Sequence, residues 1–122
     1  MPIVDIRPVV SLANKLPGDA AQALADSISQ VLSAKPGRVW VRLTEISYEN
    51  YAENGTTVED NELPVFVQVL HFDWPIEEVR IQEAAGLAVA VATCTNRQVD
   101  RIHIEYASPG RGRVAFGGNL VA

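Results

Sequence analysis

The sequence predicts an α+β domain of two layers, in which two β-α-β repeats form a four-stranded sheet with two helices on one face. Three observations carry this. Short segments of period-two apolar alternation are followed by longer segments of helical spacing, in the order strand, helix, strand, twice over. The two halves also match each other, with Gly37-Arg38-Val39-Trp40-Val41-Arg42-Leu43 lying over Asp100-Arg101-Ile102-His103-Ile104-Glu105-Tyr106, 63 positions further on. Finally, 122 residues with 48% apolar content suit one core that buries about two-thirds of the unfolded chain's surface. We therefore expect a single domain over 1–122, with repeats at 1–48 and 64–107 and a C-terminal extension at 108–122.

The first strand reads as Ile3 to Arg7. Leu16-Pro17-Gly18-Asp19 then opens a helix whose stripe of Leu24, Ile28, Val31 and Leu32 follows three-four spacing, and Lys35-Pro36-Gly37 ends it. In the second strand Val39, Val41 and Leu43 alternate with Trp40, Arg42 and Thr44, giving one aliphatic and one mixed face. A polar stretch with a turn at Asn54-Gly55 leads to the third strand, Val65 to Leu70. Asp73 then suits the cap of a second helix with Pro75 in its first turn. Ile76, Val79, Leu87, Val91 and Cys94 follow its spacing, Glu83 interrupts that stripe, and Ile81, Ala85, Ala88 and Val89 form a second one, so this helix should touch more than one neighbour. Asp100 to Tyr106 supplies the fourth strand.

Composition narrows the functions. A net charge of -5 argues against nucleic acid, whose phosphates call for a basic patch. No run of 18 apolar residues suits a membrane span, and Met1 to Val10 lacks the basic and apolar regions of a secretion signal, so we expect a cytoplasmic protein without membrane partners. The single cysteine, Cys94, has no partner for a disulfide or a zinc site and is expected to be buried as a small apolar residue. The ligand spacing supports no metal.

The most chemical feature is the start of the chain. A terminal proline is a secondary amine on a rigid ring, and α-amino groups titrate at about 7.7–8.0, low enough to act as a base. While Met1 remains attached, however, the Pro2 nitrogen is an amide and takes no proton. Ile3, Trp40, Phe72 and Phe116 are candidates for an apolar wall that lowers the amine's pKa further. On the mixed face, Arg42 suits a substrate carboxylate through its planar fork, or else pairs with Glu105, its equivalent in the repeat. Glu105 can otherwise serve as an acid if burial raises its pKa, and His103 can bond a substrate oxygen or act as a structural donor. His71 carries a weaker signal. Lys35 and Arg38 complement a helix C-terminus, while Arg111 and Arg113 lie in a glycine-rich tail that suits a hairpin or a contact with another subunit.

Met1-Pro2-Ile3-Val4, the duplicated β-α-β unit and the tail Gly110-Arg111-Gly112-Arg113-Val114-Ala115-Phe116 together resemble the tautomerase superfamily. The resemblance implies an enzyme that moves a proton between carbon and oxygen of a small enol or dienol carboxylic acid. It implies Pro2 as acid and base, no cofactor, and a homotrimer with sites at subunit boundaries. By similarity to the migration inhibitory factor branch, Lys35 binds a carboxylate, Phe72 lines the pocket, and His103 and Glu105 replace a tyrosine and an asparagine. Trp40 stands where the 4-oxalocrotonate tautomerase branch has an arginine. His71-Phe72-Asp73-Trp74-Pro75 replaces the arginine pair of the decarboxylase branch, which disfavours hydration-type decarboxylation. The alternative from another class is a noncatalytic trimeric binding or structural protein on the same scaffold.

Overall fold

The computed structural model describes residues 2–122, so Met1 lies outside the described residues. The elements run β1 (Ile3–Val10), α1 (Ala20–Val31), β2 (Trp40–Leu43), β3 (Ile46–Ser47), β4 (Val65–Leu70), α2 (Glu77–Thr95), β5 (Ile102–Tyr106), β6 (Ala115–Phe116) and β7 (Asn119–Leu120). The main sheet has the order β2-β1-β4-β5, and β3 extends it beside β1. Inside each half the strands are parallel, and the halves meet antiparallel through β1 and β4.

The repeat holds residue for residue. Ile3 faces Trp40 in the first half, and Phe66 faces His103 in the second, each pair displaced by the same 63 positions found in the sequence. Alternation sends Val4, Ile6, Val65, Val67 and Val69 to one face, where they are fully buried against Leu24 and Ile28 of α1 and Leu87 and Val91 of α2. Each such aliphatic side chain contributes about 1.5–3 kcal/mol on burial. The helices cross closely at Gly86, where an added Cβ would stand 3.1 Å from Val31 Cγ1.

Three boundaries differ from the sequence reading, the last strand being one of them, since a 3-10 turn over Val99–Arg101 delays the start of β5 from Asp100 to Ile102. β1 runs on past Arg7 to Val10, although it contains Pro8. Its odd residues bond towards β4, as Val9 N does to Pro64 O at 3.0 Å, and its even residues towards β2, as Ile6 O does from Thr44 N at 2.9 Å. The N–H that Pro8 lacks therefore falls where β2 has ended and β3 has yet to begin, so no sheet bond is lost. That continuation also recruits β3, a fifth strand that the four-stranded reading omits. The second helix starts at Glu77 with Ile76 as its cap residue, because Asp73 is held by Arg111 instead. α2 ends on Asn96 in the left-handed conformation, φ 53°, which asparagine tolerates well. Of its second apolar stripe only Ala88 packs against the core, while Ile81 is 63% and Val89 54% exposed. Cys94 is half-buried, its thiol 3.3 Å from Ser27 Oγ on α1. No helix among the described residues is long and apolar enough to cross a membrane.

Candidate active site

Strand direction gathers the candidate residues at one end of the sheet. The start of β1, the start of β2 and the ends of β4 and β5 all lie there, since β2 runs parallel to β1 and β4 and β5 run against it. Pro2, the 32–39 loop with Lys35 and Arg38, the segment His71-Phe72, and the tail after Tyr106 converge accordingly. Pro2 is buried, and its carbonyl accepts the Trp40 N–H at 3.1 Å. The Trp40 ring is fixed by donation from Nε1 to Gly37 O at 3.1 Å. Phe116 meets it edge-on at 5.2 Å and meets Phe72 at 5.6 Å, so Trp40, Phe116 and Phe72 form one aromatic group at this end of the sheet.

The tail delivers Phe116. Gly110 N donates to His71 O at 2.8 Å and Arg111 N to Phe72 O at 3.2 Å, tying the tail to the end of β4. A Cβ at Gly110 would stand 3.1 Å from Val114 Cγ2 and 3.4 Å from Leu70 Cδ1, so the close approach suits glycine. The β6–β7 hairpin then turns at Gly117 and Gly118, both with positive φ, which places Phe116 over Trp40. Arg111 pairs with Asp73 and donates to Ala122 O, and Arg113 donates to the carbonyls of Ser108 and Pro109. Both arginines thus hold the tail to its own chain.

The outer sheet face, away from the helices, carries the other candidates. One row across it reads Arg42, Asp5, Gln68, Glu105. Arg42 does not pair with Glu105. It grips Asp5 through two bonds, Nε to Oδ1 at 2.6 Å and Nη2 to Oδ2 at 2.9 Å, while Gln68 Nε2 donates to Glu105 at 3.0 Å. Equivalent positions of this repeat occupy opposite sheet edges, so each polar side chain finds its partner within its own half. The Lys35 side chain, by contrast, is exposed, and its ammonium makes no hydrogen bond or ion pair with the described residues.

His103 and Glu105 do not join Pro2 within one chain. His103 packs on Phe66 at 5.6 Å, five residues down β4 from His71, a separation of roughly 16 Å. There a cleft of about 630 Å³ opens on the outer face, lined by Arg7, Tyr51, Phe66, Gln68, His103 and Glu105. Beside it Glu53 accepts from Tyr51 Oη at 2.6 Å and pairs with Arg101, and these partners hold its carboxyl below the usual range.

One polar cluster escaped the sequence reading. Glu83 of α2 accepts from Tyr106 Oη at 2.6 Å and lies 2.9 Å from His71 Nε2, under the Pro2 end of the sheet. The rings of His71 and Tyr106 stack at 6.0 Å. Burial, then the bond to Glu83, pushes the Tyr106 hydroxyl well above its ordinary pKa, so it remains a donor. The signal was present as the acidic interruption at Glu83 in an apolar stripe. At the opposite end Arg97, buried, donates to the carbonyls of Val9, Leu63 and Asn14 and anchors the end of β1. Among the described residues no cluster of His, Cys, Asp and Glu suits a metal ion.

Two stacked layers, duplicated about a β1–β4 seam with a proline-led first strand, define the class of fold. The sequence matches no protein-family model and no curated protein. Solved structures do match. Pt0534, inactivated by 2-oxo-3-pentynoate, superposes with a TM-score of 0.76 at 18% identity over 98% of this chain and 94% of that one. A fused 4-OT wild-type symmetric trimer gives 0.75 at 15% identity, covering 98% and 94%. The macrophage migration inhibitory factor from Trichinella spiralis gives 0.73 at 14% identity, covering 97% and 98%. These are tautomerase-superfamily structures, and the fold of this chain is the tautomerase-superfamily fold.

Proposed function

We propose that the protein is a tautomerase, moving a proton between carbon and oxygen of a small enol or dienol carboxylic acid with Pro2 as acid and base. The observation that carries this is the placement of Pro2, buried at the head of β1 with its carbonyl bonded to Trp40 N, at the sheet end that also holds the Trp40-Phe116-Phe72 group and the exposed cation Lys35. An amine in such surroundings is disfavoured in its charged form, which brings its pKa towards neutrality, and a nearby lysine anchors the substrate's carboxylate. Arg42, committed to Asp5, is the weaker anchor.

The working unit is a homotrimer. The outer sheet face carries Phe66, Gln68, His103 and Glu105 around an open cleft, with Tyr51 packed on Phe66 at its rim, and a neighbour seated there brings His103 and Glu105 to the Pro2 end of the next subunit. The 4-OT structure that shares the fold is itself a symmetric trimer. The alternative is a noncatalytic trimeric binding protein, favoured by the engagement of Arg42 with Asp5 in place of a free anion fork.

The test uses phenylenolpyruvate as the enol acid. Intact mass first establishes loss of Met1. The processed protein should then ketonise the probe, while a variant retaining one residue before Pro2 keeps the ring but loses the basic nitrogen, and its rate should fall to background. Equal rates for both forms exclude proline catalysis.

A further inference from the structure

We propose that His71 is a second proton-transfer residue at the Pro2 end of the sheet, a base whose lone pair is aimed by Glu83; it rests on the active-site placement argued above. The Glu83 side chain is only 10% exposed, and its Oε2 receives the Tyr106 hydroxyl at 2.6 Å and faces His71 Nε2 at 2.9 Å. The tyrosine can only donate to a carboxylate, and a carboxylate so placed is an acceptor for its other partner as well. His71 Nε2 therefore carries the hydrogen, and the lone pair of the neutral ring resides on Nδ1. Stacking against Tyr106, with 15° between the ring planes, fixes the ring's tilt. Among the described residues Nδ1 has no hydrogen-bond partner and is not fully sealed from solvent, the His71 side chain being 14% exposed.

The sheet register supplies the location. Ile3 faces Leu70 across the antiparallel β1–β4 pair, so Pro2, just before β1, and His71, just after β4, come to the same edge. His71 is on the helix side, as its bond to α2 requires, and alternation from Val4 puts Pro2 on that side too. Pro2 and the oriented imidazole thus share the helix side of this edge, with the aromatic group on its outer side.

Two groups divide the work of ketonisation. His71 Nδ1 takes the enol hydroxyl proton as the O–H electron pair forms the C=O bond. The C=C pair takes a proton at carbon from the protonated Pro2 nitrogen. Water then passes the proton from the imidazolium to Pro2, which restores both groups, and nothing is oxidised or reduced. A purely structural His71 needs only its Nε2–H donor, which a glutamine side chain reproduces without the basic lone pair. That difference separates the two roles.

The experiment measures phenylenolpyruvate ketonisation by the full processed chain and its variants. His71→Gln should lower kcat by about 100-fold, the lower range for acid-base catalysis, with KM and thermal stability nearly unchanged. Glu83→Gln should lower kcat by about tenfold, and ¹⁵N spectra should show His71 passing from the Nε2–H tautomer to a mixture. A folded His71→Gln protein with full kcat overturns the proposal. Should that variant not fold, Glu83→Gln decides, because a changed tautomer with unchanged kcat also overturns it. The proline reading fails separately: activity that survives a blocked Pro2 but is lost in His71→Gln removes Pro2 and keeps His71, and the reverse pattern removes His71 alone. A wild-type chain inert towards the probe overturns both.

Discussion

Lys35 and Arg42 are both cations near a strand start, but only Arg42 has an internal partner, and this decides which of them is available to a substrate. Losing a charge-assisted hydrogen bond costs about 1.5–3 kcal/mol, so Lys35→Ala should raise KM for an enol acid by roughly tenfold to a hundredfold. Arg42→Ala should leave KM nearly unchanged, since the guanidinium removed was already held by Asp5. Steady-state kinetics with the acid and its ester decide this, and a KM rise confined to Arg42→Ala would reverse the assignment. Glu53 offers a second test, in stability. Its pKa is lowered in the folded protein by Tyr51 and Arg101, so the stabilisation is present above the unfolded glutamate value near 4.3 and is lost as pH falls through the lower folded value. Thermal melts of wild type and Glu53→Gln should therefore differ at pH 7 and converge in acid; a gap that widens in acid would contradict the sign. That Trp40, Phe72 and Phe116 form one aromatic group was legible because they were the conspicuous rings of the strand start, the β4 end and the tail. The Arg42–Asp5 pair was not, because strand adjacency, not repeat equivalence, decides which side chains meet.

At the scale of elements, the two-fold repetition and the helix stripes could be read from periodicity because burial enforces it. What periodicity missed were boundaries set by long-range partners. Arg111, far along the chain, claims Asp73 and denies α2 the cap its local sequence offers, and the missing N–H of Pro8 is harmless only because β2 stops beside it. The close crossing of α1 and α2 was equally hidden, since a lone glycine in a helix is locally a cost of about 1 kcal/mol relative to alanine. Its reason is tertiary, with Gly86 against Val31. Gly86→Leu should destabilise by about 1–3 kcal/mol through overpacking, seen as a lower urea midpoint with an unchanged slope. A midpoint at or above that of the wild type would mean that the helices separate without cost.

For the whole molecule, the decisive question is whether one chain holds a complete site. His103 lies roughly 16 Å from the Pro2 end within its own chain, too far to share a small substrate with Pro2. If the homotrimer supplies it from a neighbour, light scattering should give three times the 13.3 kDa chain mass. The sharper consequence is genetic complementation in a mixed oligomer. A subunit blocked before Pro2 retains its His103, and a His103→Ala subunit retains its Pro2, so each homotrimer alone should be impaired. Refolded together in equal amounts, they exchange partners, and a site works when a good Pro2 meets a good His103 across a boundary. Random assembly gives that combination at roughly a quarter of sites, so activity should return to about that fraction of wild type for the closed, head-to-tail contacts of a threefold ring. Sites confined to single chains cannot gain from mixing, because every chain carries one defect. Co-refolded material no more active than the average of its two parents would therefore overturn a boundary site shared between Pro2 and His103, and a His103→Ala homotrimer as active as wild type would return the outer-face cleft to a purely structural role.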